Sequence, residues 1–176
     1  MLRNVMGNVM GKLSAPHKWA LGIVLFTTVA ILAGVNWRIF KFEQLLNHGQ
    51  VVRFALAPVD PRSLMQGDYM ALEYAIARDV RSALVPQQMQ GQLLLAIDGQ
   101  RVARFMDFYT DQALGKDQLR VQFRVRGNQI KLASNSFFFE EGQADHFSAA
   151  KYGEFRVNAQ GELLLVSLLD EKFEPL

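Results

Sequence analysis

Residues 51–76 read VVRFALAPVDPRSLMQGDYMALEYAI, and their alternation decides the fold class. Val52, Phe54 and Leu56 alternate with Arg53, Ala55 and Ala57, the period-2 pattern of a half-buried strand. Met70, Leu72, Tyr74 and Ile76 then share one face of a second strand, with Tyr69, Ala71 and Glu73 on the other. Between them, Pro58 and Pro61 interrupt pairing. Asp60-Pro61 fits a one-turn helix start, with Asp60 as cap and Pro61 at the first position. Gly67-Asp68 supplies the reversal back into the sheet. The stretch predicts strand, turn and strand.

Downstream, the same logic repeats. Leu93, Leu95 and Ile97 reach Asp98-Gly99 and return through Val102 and Phe105, a strong hairpin signal. Leu119, Val121, Phe123 and Val125 alternate with Arg120, Gln122, Arg124 and Arg126, and Gly127-Asn128 turns the chain into Ile130 and Leu132. Phe155 and Val157 lead through Gln160-Gly161 into a last strand. Its inner face is either Leu163, Leu165 and Ser167 or Leu164, Val166 and Leu168. Short helices are expected over Arg78–Leu84 and Ala144–Tyr152. About eight strands with regularly spaced turns predict a compact antiparallel β-barrel or sandwich, mainly β, with short helices.

Upstream lies a different kind of segment. Trp19–Trp37, WALGIVLFTTVAILAGVNW, carries no charge, and its polar residues are Thr27, Thr28 and Asn36. At 1.5 Å per residue it spans roughly 27 Å, close to a bilayer core. A Trp at each end suits the two interfaces. A cleaved signal peptide is the rival reading. A cut after Ala33 would place Ile31 two positions before it, where a small residue belongs, so an uncleaved anchor is favoured. Residues 1–18 then form a basic tail, 19–37 a single transmembrane helix, 38–50 a helical stalk and 51–176 the β-rich domain. Ile39, Phe42 and Leu46 keep the helical rhythm, and Gly49 marks its end.

Charge orients this plan. Residues 1–37 hold Arg3, Lys12 and Lys18 and no acid; the remainder holds 16 Lys plus Arg against 17 Asp plus Glu. The sequence is basic overall because of its tail, and a near-neutral domain is not what nucleic-acid binding requires. The tail is expected in the cytoplasm and the domain in the periplasm. The absence of cysteine from the chain excludes disulfides and thiol nucleophiles. Within the anchor, Gly22, Phe26, Ala30 and Gly34 recur at four-residue steps as a candidate helix-packing face.

Gly67-Asp68-Tyr69-Met70-Ala71-Leu72-Glu73-Tyr74 resembles the signature of the GDYXXLXY family, bacterial membrane-anchored proteins of unknown biochemical function. The resemblance extends to Pro58-Val59-Asp60-Pro61-Arg62, to Phe138-Phe139-Glu140-Glu141-Gly142 and to Tyr152-Gly153-Glu154-Phe155-Arg156-Val157, and covers about residues 43–170. Gln66 departs from it, since the family commonly has Arg there. The resemblance implies a partner, because members are often encoded beside a multi-pass membrane protein.

Chemistry is sparse. Asp60, Arg62, Asp68 and Glu73 can be read as two carboxylates flanking a guanidinium, a ligand-binding or hydrolytic centre that would include Tyr69. The structural reading is favoured: Asp60 caps a turn, Asp68 bonds its own turn backbone, and Arg62 pairs with one of them. Tyr69 and Tyr74 fall on opposite faces of their strand, so one is expected in the core. Phe137, Phe139, Glu141, Gly142 and Tyr152 form a candidate contact patch, with the alternative that a helix over 144–152 covers the Phe face. The three histidines are scattered and no metal-ligand spacing occurs. No cofactor is expected, no nucleophile–base pair is apparent, and a small-molecule ligand cannot be named. The expected function is a non-enzymatic binding or accessory module for a multi-pass inner-membrane protein.

Overall fold

The computed structural model describes residues 15–57, 69–85, 88–127 and 129–176. The described chain divides into two compact units between Phe42 and Glu43.

The first unit is helical. The helix α1 runs over Ala15–His48, about 51 Å at 1.5 Å per residue. Every residue from Trp19 to Phe42 is exposed. The polar side chains between Trp19 and Trp37 turn inward to their own backbone. The hydroxyls of Thr27 and Thr28 donate to the carbonyls of Ile23 and Val24 at 2.9 and 2.8 Å, and Asn36 Nδ2 donates to the Leu32 carbonyl at 2.8 Å. Such bonds are what a polar side chain needs where water cannot supply a partner.

The second unit opens with the last turn of α1. Leu45 is buried, and the Gly49 N–H donates to the Leu45 carbonyl at 2.9 Å, closing the helix where Gly49 predicts it. Arg156 Nη1 donates to the Gly49 carbonyl at 3.2 Å, fastening this turn to the sheet. The order is then β1 (Gln50–Ala55), β2 (Tyr69–Ala71), α2 (Ile76–Ala83), β3 (Gln90–Ile97), β4 (Ala103–Phe108), β5 (Gln118–Arg126), β6 (Gln129–Lys131), β7 (Ser136–Phe138), α3 (Ala144–Phe147), β8 (Tyr152–Val157) and β9 (Leu163–Leu169).

The strands form three antiparallel sheets: β1-β8-β9, β2-β7 and β4-β3-β5-β6. A bridge from Arg53 to Val102 sets β1 beside the start of β4. At the other side, the Gln122 N–H of β5 donates to the Gly161 carbonyl in the β8–β9 turn at 2.8 Å. The sheets thus curl around one core as a half-barrel. Val52, Phe54, Leu93, Leu95, Val121, Phe155 and Leu168 are fully buried there. Phe54, Tyr74 and Phe155 meet edge to face, with centroids 5.3–6.0 Å apart, an arrangement that the ring quadrupoles favour.

The hairpins follow the turn residues, with local differences. In β3–β4 the positive φ, 62°, falls on Arg101 and not on Gly99, because the Asp98 carboxylate accepts the N–H groups of Gln100 and Val102 and holds a longer turn. Gly161 has φ 81°, and a Cβ there would sit 3.0 Å from the Arg120 carbonyl oxygen, so the turn needs glycine twice over. The two candidate faces of the last strand are both used. Glu154 pairs with Ser167 and Phe155 with Leu165, so Val166 bulges out; Leu163 and Leu165 pack on the core before the bulge and Leu168 enters it after.

Three expectations need correction. The second strand of the opening stretch is short: β2 ends at Ala71, and Ile76 begins α2 although its side chain is buried as the alternation requires. Ile76 and Val80, four apart, both face the core, which makes 76–83 one amphipathic turn pair. The helix expected over 144–152 stops at Phe147, since Tyr152 is taken by pairing with Leu169. The opening stretch is also not a simple hairpin. β1 pairs with β8 along its length, and it meets the 73–75 segment only through Ala57 N–H to the Glu73 carbonyl and Ala75 N–H to the Ala55 carbonyl.

Candidate functional site

The described part of the octapeptide is built from the core outward. Leu72 and Tyr74 are 2 % exposed, and Glu73 between them is exposed. The Tyr74 hydroxyl donates to the Ser134 carbonyl. Burial pushes this phenol well above its ordinary value, so at neutral pH it stays protonated and serves as a hydrogen-bond donor. The Leu72 N–H donates to the Asn135 carbonyl at 2.7 Å, and Asn135 Nδ2 returns a bond to the Leu72 carbonyl at 3.2 Å. Residues 72–74 are thereby laced to residues 134–135.

Glu73 faces a groove of about 990 Å³. Its walls are the first turns of α2, the start of β4, β6 and residues 71–75. The walls carry Arg78, Arg81, Arg104 and Lys131 against Glu73 and Asp79, a cationic excess of two. Ala77, Val102 and Phe105, each half-buried, supply apolar surface over the buried Leu72, Ile76 and Ile130. Arg78 and Arg81 reach the groove because Ile76 and Val80 turn the opposite face of α2 into the core. β4 and β6 are the two edges of one four-stranded sheet; its curl brings both edges to the same groove, with α2 across the gap. Among the described residues, the one ion pair made by these four cations is Arg104 Nη2 to Asp98 Oδ2 at 3.8 Å. Asn135 also lines the groove, and its Oδ1 is shielded from solvent with no hydrogen-bond partner among the described residues. A smaller hollow of about 160 Å³ adjoins it, lined by Met70, Phe147 and Lys151 among others.

The other candidate residues are dispersed. Pro58, Asp60, Pro61, Arg62, Gly67 and Asp68 lie outside the described residues, as does the side chain of Tyr69; the Tyr69 backbone pairs with Phe138. Phe137 and Phe139 pack on Phe147 of α3 with centroids at 5.0 and 5.3 Å, so the covering helix is present on that face. Glu141 and Gly142 are exposed in a turn, with φ 87° at Gly142. Tyr152 lies against Phe173 at 4.6 Å, and the Arg53 guanidinium sits over the same Phe173 ring at 4.9 Å while pairing with Glu154 at 3.1 Å. This cluster fixes the C-terminal segment. Gly22, Phe26, Ala30 and Gly34 are all exposed on α1, and a Cβ added at either glycine would meet nothing within 4 Å. No group of three or more His, Cys, Asp or Glu converges among the described residues.

Sequence reasoning missed Arg78, Arg81, Arg104, Lys131 and Asn135. The spacing of Arg78 and Arg81, three apart on one short helix just past the octapeptide, was the available signal. A family model described as GDYXXLXY protein matches residues 31–168, well over half of the chain. No curated protein and no solved structure matches it.

Proposed function

The chain belongs to the GDYXXLXY family, and from that premise we propose that it is a single-pass, uncleaved membrane anchor presenting a β-rich accessory module in the bacterial periplasm. The apolar surface of α1 carries this reading. Leu25, Phe26 and Ile31 are 66, 74 and 66 % exposed. A helix so apolar around its whole circumference belongs in hydrocarbon. Among the described residues, the one helix long and apolar enough to cross a membrane covers Trp19–His48. In this reading residues 1–18 are the cytoplasmic tail, 19–37 the span, 38–50 the stalk and 51–176 the periplasmic domain. The basic residues before the span set that orientation.

The module binds and holds a multi-pass inner-membrane protein without turning over a substrate. Gly22, Phe26, Ala30 and Gly34 form the close-packing face for that partner, and the periplasmic domain adds a second contact on the same chain. Crosslinking in membranes, comparing wild type with Gly34→Leu, tests it. The variant still inserts, because Leu is favourable in the bilayer, and its partner yield is expected to fall several-fold with the domain folded. Equal yields would reduce the helix to a passive tether.

A further inference from the structure

We propose that the groove between α2, β4 and β6 binds a phosphate group carried on a larger body, either a free organic phosphate or the headgroup of an acidic phospholipid. Arg78, Arg81, Arg104 and Lys131 all line it. Guanidinium forks match phosphate oxygens with paired, charge-assisted bonds, and three of the four cations are arginine. Arg104 alone of the four is engaged by an acid among the described residues, at 3.8 Å and largely solvated. Glu73 and Asp79 share the walls, but neither forms an ion pair among the described residues, so Arg78, Arg81 and Lys131 are left without an acidic partner there.

Position argues against four merely solvated cations. The domain beyond the anchor has no basic surplus, with 16 Lys plus Arg against 17 Asp plus Glu from residue 38 on. The cations are gathered from three elements into one concavity with apolar walls, where a field is focused. The volume, about 990 Å³, far exceeds a bare anion and lies at the top of the range for small-molecule sites. Val102 and Phe105, both half-buried, offer the remainder of the ligand an apolar wall. The inference goes beyond the anchor-and-partner reading and does not depend on it.

The test uses the full chain in neutral detergent micelles, titrated calorimetrically with inorganic pyrophosphate and, separately, with phosphatidylglycerol against phosphatidylcholine. Saturable binding is expected to at least one phosphate probe. Pyrophosphate alone assigns a free phosphate, phosphatidylglycerol alone a lipid headgroup, and both assign the phosphate group itself. The double variant Arg78→Gln/Lys131→Gln should weaken that binding at least tenfold. Arg124→Gln/Arg126→Gln, which removes equal charge outside the groove, should change it less than twofold. Thermal melts establish that both doubles remain folded. Absence of saturable binding, an unchanged affinity in the first double, or equal loss in both would overturn the proposal.

Discussion

Phe26 and Phe54 are the same residue under opposite rules. Phe26 on α1 is 74 % exposed, whereas Phe54 in β1 is fully buried against Phe155 and Tyr74. Polar groups reverse as well. Thr27, Thr28 and Asn36 fold back on their own helix, while Arg120, Gln122 and Arg124 of β5 face outward. One unit hides its polar groups and shows its apolar ones; the other does the converse. Burial of apolar surface stabilises the β-domain in water, but it cannot be what holds α1 from Trp19 to Phe42, where every residue is exposed. The two halves are built for different solvents.

The contrast is sharpest when each half is broken with the other's readout as control. Phe54→Ala empties the aromatic centre and should cost about 3–5 kcal/mol. Denaturant unfolding of the full chain in neutral detergent measures the loss, and membrane retention should not change. Val29→Arg places a charge near the middle of the span, at about 2.5–3.5 kcal/mol of insertion free energy. Here membrane retention should fall while the domain melts as before. A variant that moved both readouts together would break the division into two solvents.

Tyr74→Phe is the finer probe, because it keeps the ring and removes the donor to the Ser134 carbonyl. It should cost about 1–3 kcal/mol by leaving that acceptor unpaired. It should also alter the alkaline limb. The folded phenol is raised above its unfolded value near 10, so the unfolded state releases the proton first. Stability is then full below about pH 10 and declines as pH rises above it. Urea midpoints from pH 8 to 11 should fall in the wild type and fall less in Tyr74→Phe. Parallel slopes would mean another group governs alkaline unfolding.

Much of this architecture was legible locally. Asp98-Gly99, Gly127 and Gly161 marked the three hairpins of β3–β4, β5–β6 and β8–β9, and Gly49 marked the end of α1, because each is a short-range constraint written in a few residues. Pairing β1 with β8 was not legible, since a hundred residues separate Arg53 from Glu154 and alternation names a face without naming a neighbour. The bulge at Val166 likewise hides in a run of Leu and Val that is apolar on both faces. The groove was the largest omission. Its cations lie on α2, β4 and β6, from Arg78 to Lys131, and they converge only once the sheet curls. The signature residues that sequence singled out, Leu72 and Tyr74, serve the wall beneath it.

We propose that α1 crosses a membrane and delivers the β-domain to its far side. The chain contains no cysteine, so one cysteine added after Leu176 is a clean reporter. In intact cells with a permeable outer membrane, a maleimide unable to cross the inner membrane should label it fully, with the protein retained in the pellet after carbonate extraction. Labelling that appears only after the inner membrane is broken, or release of the protein into the supernatant, would contradict the account.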